Sequence, residues 1–179
     1  MDKQFLSISL IALGLMTMSQ AALSDDDEGV FRRPDVAPVT NALYTKECGG
    51  CHFAYPAGLL PEASWQKIMT TLDDHFGDDA SLDGTDHAEL LAYLTSNSAD
   101  KSNSKRSQKI MRSLGDRTPL RITGTPYFIS KHDEVPPRLV HGNDQVRSFS
   151  NCGACHSRAA QGSFSEREIR IAGYGKWDD

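Results

Sequence analysis

No stretch of the 179-residue chain holds the about 20 consecutive apolar residues that a membrane-spanning helix needs. Glycine and proline, at 14 and 8, are too few for collagen-like or low-complexity sequence, and no heptad pattern persists. A basic excess is missing as well. With 19 Lys and Arg against 24 Asp and Glu the net charge is −5, which excludes a uniformly basic nucleic-acid binder. Glycine-rich phosphate loops, dinucleotide fingerprints and nucleophile elbows do not occur, and the match to S-x-x-K at Ser98–Lys101 is trivial. Cysteine is scarce, at four, and histidine numbers six, but both turn out to be organised.

The N-terminus carries Lys3, an apolar run from Phe5 to Met16, and then Ser19-Gln20-Ala21. Small residues at the −3 and −1 positions after a run of this length predict a secretory signal over 1–21, cleaved after about residue 21. A membrane anchor is the competing interpretation, but the run is too short to span. The mature chain is therefore expected to work in a bacterial periplasm.

Past the signal, the acidic stretch Asp25-Asp26-Asp27-Glu28 has no core pattern. Apolar spacing from Val39 to Glu47 predicts a helix running into Cys48. Ser64 is expected to cap a helix carrying Trp65, Ile68, Met69, Leu72 and Phe76 on one face, stopped by Gly77. Another helix is expected over 86–94, burying Leu90, Leu91 and Leu94. The Ser-, Asn- and Lys-rich segment 97–107 has linker composition. A short helix over 108–114, a Pro-, Gly- and Arg-containing stretch and an irregular tail complete the chain. The fold class is mainly α with extensive coil.

All four cysteines fall in two identical frames, Cys48-Gly-Gly-Cys51-His52 and Cys152-Gly-Ala-Cys155-His156. C-x-x-C-H is the attachment motif for c-type haem. Two thiols add across the two vinyl groups of one porphyrin, and the following imidazole meets the iron from one face. Two disulfides would suit an exported chain but require no histidine after each pair. A zinc site needs its C-x-x-C pairs about 15–20 residues apart, and a redox dithiol needs a βαβ context. The motifs predict two covalently bound haem c groups, with His52 and His156 as proximal ligands. The domains expected are a leader over 22–36, an N-terminal haem domain over 37–100 and a C-terminal one over 101–179.

The sixth ligand decides function, because an open iron binds O2, NO or peroxide whereas a closed one mainly moves electrons. His75, His87, His132 and His141 remain, with Met69 and Met111 the only methionines after the signal. For the first haem, His75 on the edge of an apolar stripe ranks ahead of His87, which shares a stripe with Leu90, Leu91 and Leu94. Met69 fits ordinary core packing. No His or Met follows His156, so the second distal ligand comes from upstream. His132, after Tyr127-Phe128-Ile129, ranks ahead of His141, which sits in a turn sequence. Two bis-His, low-spin irons follow, easier to oxidise than a Met/His pair.

With these residues in view, the sequence resembles the family of periplasmic dihaem cytochromes c related to that of purple phototrophic bacteria. The matching stretches are 47–56 (Glu-Cys-Gly-Gly-Cys-His-Phe-Ala-Tyr-Pro), 75–83 (His-Phe-Gly-Asp-Asp-Ala-Ser-Leu-Asp), 119–123, 127–132, 148–156 and 173–177. The resemblance implies an N-terminal domain like a class I cytochrome c, an irregular C-terminal haem domain, and bis-His ligation with His75 and His132 distal. It implies as partners a small high-spin c-type haem protein, to which electrons pass, and membrane b-type cytochromes. His87 and His141 fall outside the family's recurring motifs.

Two function classes stand against each other: an electron-transfer protein, and a small peroxidase-like enzyme or O2/NO-binding protein with one open iron. Spare histidines for both sites and the family likeness favour electron transfer. Trp65, Tyr127, Phe128, Tyr174 and Trp177 are candidates to pack on haem, and Arg121, Arg138 and Arg158 to pair with its carboxylates. The charge is also divided. Residues 22–100 hold 4 basic and 15 acidic side chains, and residues 101–179 hold 14 and 8. Asp73, Asp74, Asp78, Asp79, Asp83 and Asp86 flank His75 with no Lys or Arg among them. The division suggests two electrically distinct faces, each steering a different redox partner.

Overall fold

In the computed structural model, which describes residues 34–177, helix α1 (Ala42–Glu47) begins at Asn41. That residue is extended and accepts the Tyr44 N–H on its side-chain oxygen at 2.7 Å. The expected signal over 1–21 and the leader up to residue 33 lie outside the described residues. Asp35 and Val36, assigned to the flexible leader, are instead anchored. Val36 is fully buried, and its N–H donates to Gly162 O at 3.2 Å.

The helix expected from a Ser64 cap starts earlier and ends earlier. In α2 (Glu62–Met69) Pro61, which has no N–H to lose, stands at the N-cap, and Ser64 lies buried inside the helix. Thr70 and Thr71 then turn their hydroxyls onto the Lys67 and Ile68 carbonyls, a competition that ends the helix at Met69. Leu72–Asp74 forms a separate 3-10 turn with His75 just after it. Helix α3 (Gly84–Ser96) starts at Asp83, whose carboxylate accepts from the N–H groups of Thr85 and Asp86, both at 2.9 Å. Its Leu90 and Leu94 pack on Trp65, Ile68 and Met69 of α2 and on Tyr44, forming the first core.

The segment expected to be a linker is packed, not free. Ser98, Ala99 and Ser107 are buried, Ala99 N–H donates to Leu60 O at 2.8 Å, and Ser107 Oγ donates to Gly58 O at 2.7 Å. Helix α4 (Lys105–Leu114) turns Ser107, Ile110 and Leu114 inward. A second core joins Ile110 and Leu114 to Val36, Leu59, Ala159 and Phe164, drawing on residues from both sides of the supposed linker. Helix α5 (Pro126–His132) carries Pro at its first position and Thr125 as cap. After it the chain runs through 3-10 turns into an antiparallel pair of two-residue strands, β1 (Arg170–Ile171) and β2 (Gly175–Lys176). Leu139, Val140, Val146 and Ile171 make a third, smaller core. The architecture is mainly α with coil, as expected. Among the described residues no helix is long and apolar enough to cross a membrane.

Candidate functional site

Both C-x-x-C-H motifs fold into tight turns. Cys48 caps the end of α1, its N–H bonded to Tyr44 O. Cys152–Ala154 is a 3-10 turn, and the His156 N–H closes on Cys152 O at 2.8 Å. None of the four cysteines is joined in a disulfide. The histidine that follows each pair meets one other histidine. His52 and His75 face each other with ring centroids 6.2 Å apart and planes inclined by 22°. His132 and His156 also stand 6.2 Å apart, at 75°. Metal–imidazole bonds of about 2.0–2.1 Å place two opposed ring centroids roughly 6.3 Å apart. Each gap therefore has room for one metal atom.

The alternatives weighed from sequence are not brought to either pair. A ring nitrogen of His87 is engaged by Met69 O at 2.9 Å, and Met69 itself is core. His141 is exposed against the edge of Phe149. Among the described residues no three His, Cys, Asp or Glu side chains converge on a bare-metal site. A metal between only two imidazoles needs its remaining ligands from elsewhere, and a porphyrin with cysteines at its edge supplies them.

The surroundings orient these rings. His52 Nδ1 donates to Phe53 O and His132 Nδ1 to Phe128 O, each at 2.8 Å, which leaves both Nε2 atoms free to ligate. His132 ends α5 and stacks on Phe128 one turn back, at 3.8 Å and 11°. Burial pushes the His75 and His132 pKa down and carries that of His156 to about 4, so these rings are neutral, the form that binds metal. After His75 the chain reverses at Phe76, whose φ of 60° is costly for a large side chain. The Arg121 guanidinium lies over the Phe76 ring at 3.8 Å.

Two buried polar atoms at the second pair have no protein partner, His156 Nδ1 and Arg106 Nε. Arg106 lines the cleft that holds Cys152, Cys155, His132 and His156, together with Phe149 and Phe164. The other guanidinium nitrogens of Arg106 already meet Tyr127 Oη, Phe164 O and the Asp35 carboxylate, and a haem in this cleft would bring a carboxylate acceptor for the unpartnered Nε. The residues present fit the group. Arg106 was missed from sequence because one arginine among 14 basic residues carries no local signal, whereas Arg158 pairs with Glu168 at 3.0 Å and Arg121 stacks on Phe76. Arg138 is exposed on a turn. Of the aromatic candidates, Trp65 is core, Phe128 and Trp177 line the second cleft, and Tyr127 accepts from Arg106 at 3.1 Å. Tyr174 is 58% exposed, because the turn between β1 and β2 carries it outward.

The dihaem cytochrome c family model matches residues 44–164. A diheme cytochrome c from Shewanella baltica OS155 is 43% identical, with a TM-score of 0.64, across 77% of this chain and 98% of that one. The diheme cytochrome c from Rhodobacter sphaeroides is 45% identical, also at 0.64, across 72% of this chain and all of that one. No curated protein matches. With both attachment motifs inside the matched segment, the chain belongs to the dihaem cytochrome c family and carries two covalently attached haem c groups.

Proposed function

We propose that the protein is a periplasmic electron carrier in which His52 and His75 hold one haem iron, and His132 and His156 the other. The observation that carries this is the equal spacing of two imidazole pairs, each beside its own cysteine pair. When bound, each haem supplies a one-electron ferric–ferrous couple.

The chain's residues determine how that couple behaves. Cys48 and Cys51, and Cys152 and Cys155, fix each ring by its edge. The backbone bonds to His52 and His132 Nδ1 hold the imidazoles in one tautomer and raise the basicity of Nε2. A histidine on each face leaves no free position for peroxide or O2, which supports electron transfer over the enzyme alternative. The signal-like N-terminus and covalent haem support a periplasmic setting. The partner proposed is a small soluble high-spin c-type haem protein, with a membrane b-type cytochrome as a further associate. The family likeness supports both.

The ferric protein is expected to be low-spin throughout by absorption and EPR, and its reduced form to bind CO only slowly. A substantial high-spin signal or rapid CO binding would overturn the closed-site assignment.

A further inference from the structure

One side chain runs from the first imidazole pair to the backbone beside the second attachment motif. Tyr55, three residues after His52, lies against the His52 ring with centroids 4.9 Å apart and planes 28° from parallel. Its hydroxyl reaches across to the other motif, donating to Ser150 O at 2.8 Å over 95 residues of sequence. That carbonyl lies 3.7 Å from Cys152 Sγ, the first attachment sulfur of the second haem. A second ring, Phe53, packs edge-on against Tyr55 at 5.6 Å and, like Cys152, against the second core. The backbone of Tyr55 is held in turn, because Tyr44 Oη donates to its carbonyl at 2.9 Å.

We propose that Tyr55 is the positioning residue that couples the two haems electronically, through the path His52 ring, Tyr55 ring and hydroxyl, Ser150 carbonyl, Cys152 sulfur. The inference rests on the reading that the two haems exchange electrons. Electron tunnelling falls off more slowly through bonded atoms and hydrogen bonds than across an empty gap, so a path that crosses between the segments on a 2.8 Å hydrogen bond, with a ring contact on His52 before it and a 3.7 Å approach to Cys152 Sγ after it, outweighs longer contacts. One electron leaves the ferrous iron at one site and reduces the ferric iron at the other. Tyr55 is neither oxidised nor deprotonated. Its O–H stays on the oxygen as the donor to Ser150 O.

The experiment uses the holoprotein, half-reduced by a flash-generated flavin semiquinone, and follows equilibration of the electron between the haems. Tyr55→Phe keeps the ring on His52 and removes only the hydroxyl. It is expected to slow equilibration severalfold, with both midpoint potentials and the low-spin spectra unchanged. Phe53→Leu trims the same interface without touching the hydrogen bond and is expected to leave the rate unchanged. Equal rates in Tyr55→Phe and the unmodified protein would overturn the proposal, and so would an equal slowing in Phe53→Leu, which would assign the effect to packing. Failure of the ligation reading shows separately, as high-spin iron in the unmodified protein.

Discussion

At the scale of single residues, the two sites are built alike but are not equivalent. His75 sits in a short loop between a 3-10 turn and the reversed backbone at Phe76, whereas His132 is the last residue of a helix and stacks on Phe128. Replacing an axial imidazole by a thioether raises a haem potential. His75→Met is therefore expected to raise one midpoint by roughly 0.1–0.3 V, within the about 0.8 V that axial ligands span, and to leave the other in place. His132→Met is expected to move the other midpoint alone. Spectroelectrochemical titration of each variant checks this. A variant that moves neither midpoint removes its histidine from the ligand set. With the proposed ligation, EPR would identify the site affected, because imidazole planes 22° apart would split the iron d orbitals differently from planes 75° apart. Of these residues the attachment cysteines and the proximal His52 and His156 were legible in the chain, because haem attachment fixes spacing and residue type together, whereas His75 and His132 were ranked above His87 and His141 only on apolar neighbours and family likeness. Arg106 and Tyr55 were not. Their roles come from what lies opposite them in space, 58 and 95 residues away at Phe164 and Ser150.

At the scale of elements, the sequence was informative where one face decides and silent where side chains compete with the backbone. The stripe of Leu90 and Leu94 in α3 was plain from periodicity. The end of α2 was not, because Thr70 and Thr71 bond back to the preceding turn, which the apolar positions at Leu72 and Phe76 do not reveal. The segment 97–107 misled for a related reason. Small polar residues suit a solvated linker, but they also suit close approach of backbones, and Ser98 and Ser107 are used that way. Ser107 makes one such approach at Gly58 on the short turn 57–59, where an added Cβ would lie 2.7 Å from Val36 Cγ2 and 2.9 Å from Ser107 Oγ. Gly58→Ala is expected to destabilise the holoprotein by about 1–3 kcal/mol through overpacking. At about 2–4 °C per kcal/mol for a chain of this size, the thermal midpoint should fall by several degrees. A midpoint that does not move would mean Val36 and Ser107 yield without cost.

At the scale of the whole molecule, the charge division seen in sequence acquires a location. Asp73, Asp74, Asp78 and Asp79 are exposed around His75, and the carboxylate oxygens of Asp74 and Asp79 accept from Gly77 N–H and from Ser81 respectively. At low ionic strength this rim should attract cationic electron donors and repel anionic ones, an effect screened within about 10 Å at 0.1 M salt. Reduction of the His75 haem by a small cationic metal complex is expected to slow as salt rises, and reduction by an anionic complex to quicken. Changing the four aspartates together to asparagine should flatten both dependences. Stopped-flow rates across a salt series check this, and identical dependences before and after the substitution would locate the steering elsewhere. Among the described residues, the earliest part of the chain is also fastened to the late part. Val36 fills the core beside Phe164, the Asp35 carboxylate accepts the Phe164 N–H at 2.7 Å, and Gly162 leaves no space for a Cβ, which would stand 2.1 Å from Val36 O. A chain exported N-terminus first would deliver residues 35 and 36 well before their partners, so the wall of the second haem cleft would wait on the last part of the chain to arrive. Cutting the protein at the segment that looked like a linker would thus not yield two single-haem halves, since the later half would lose its clasp.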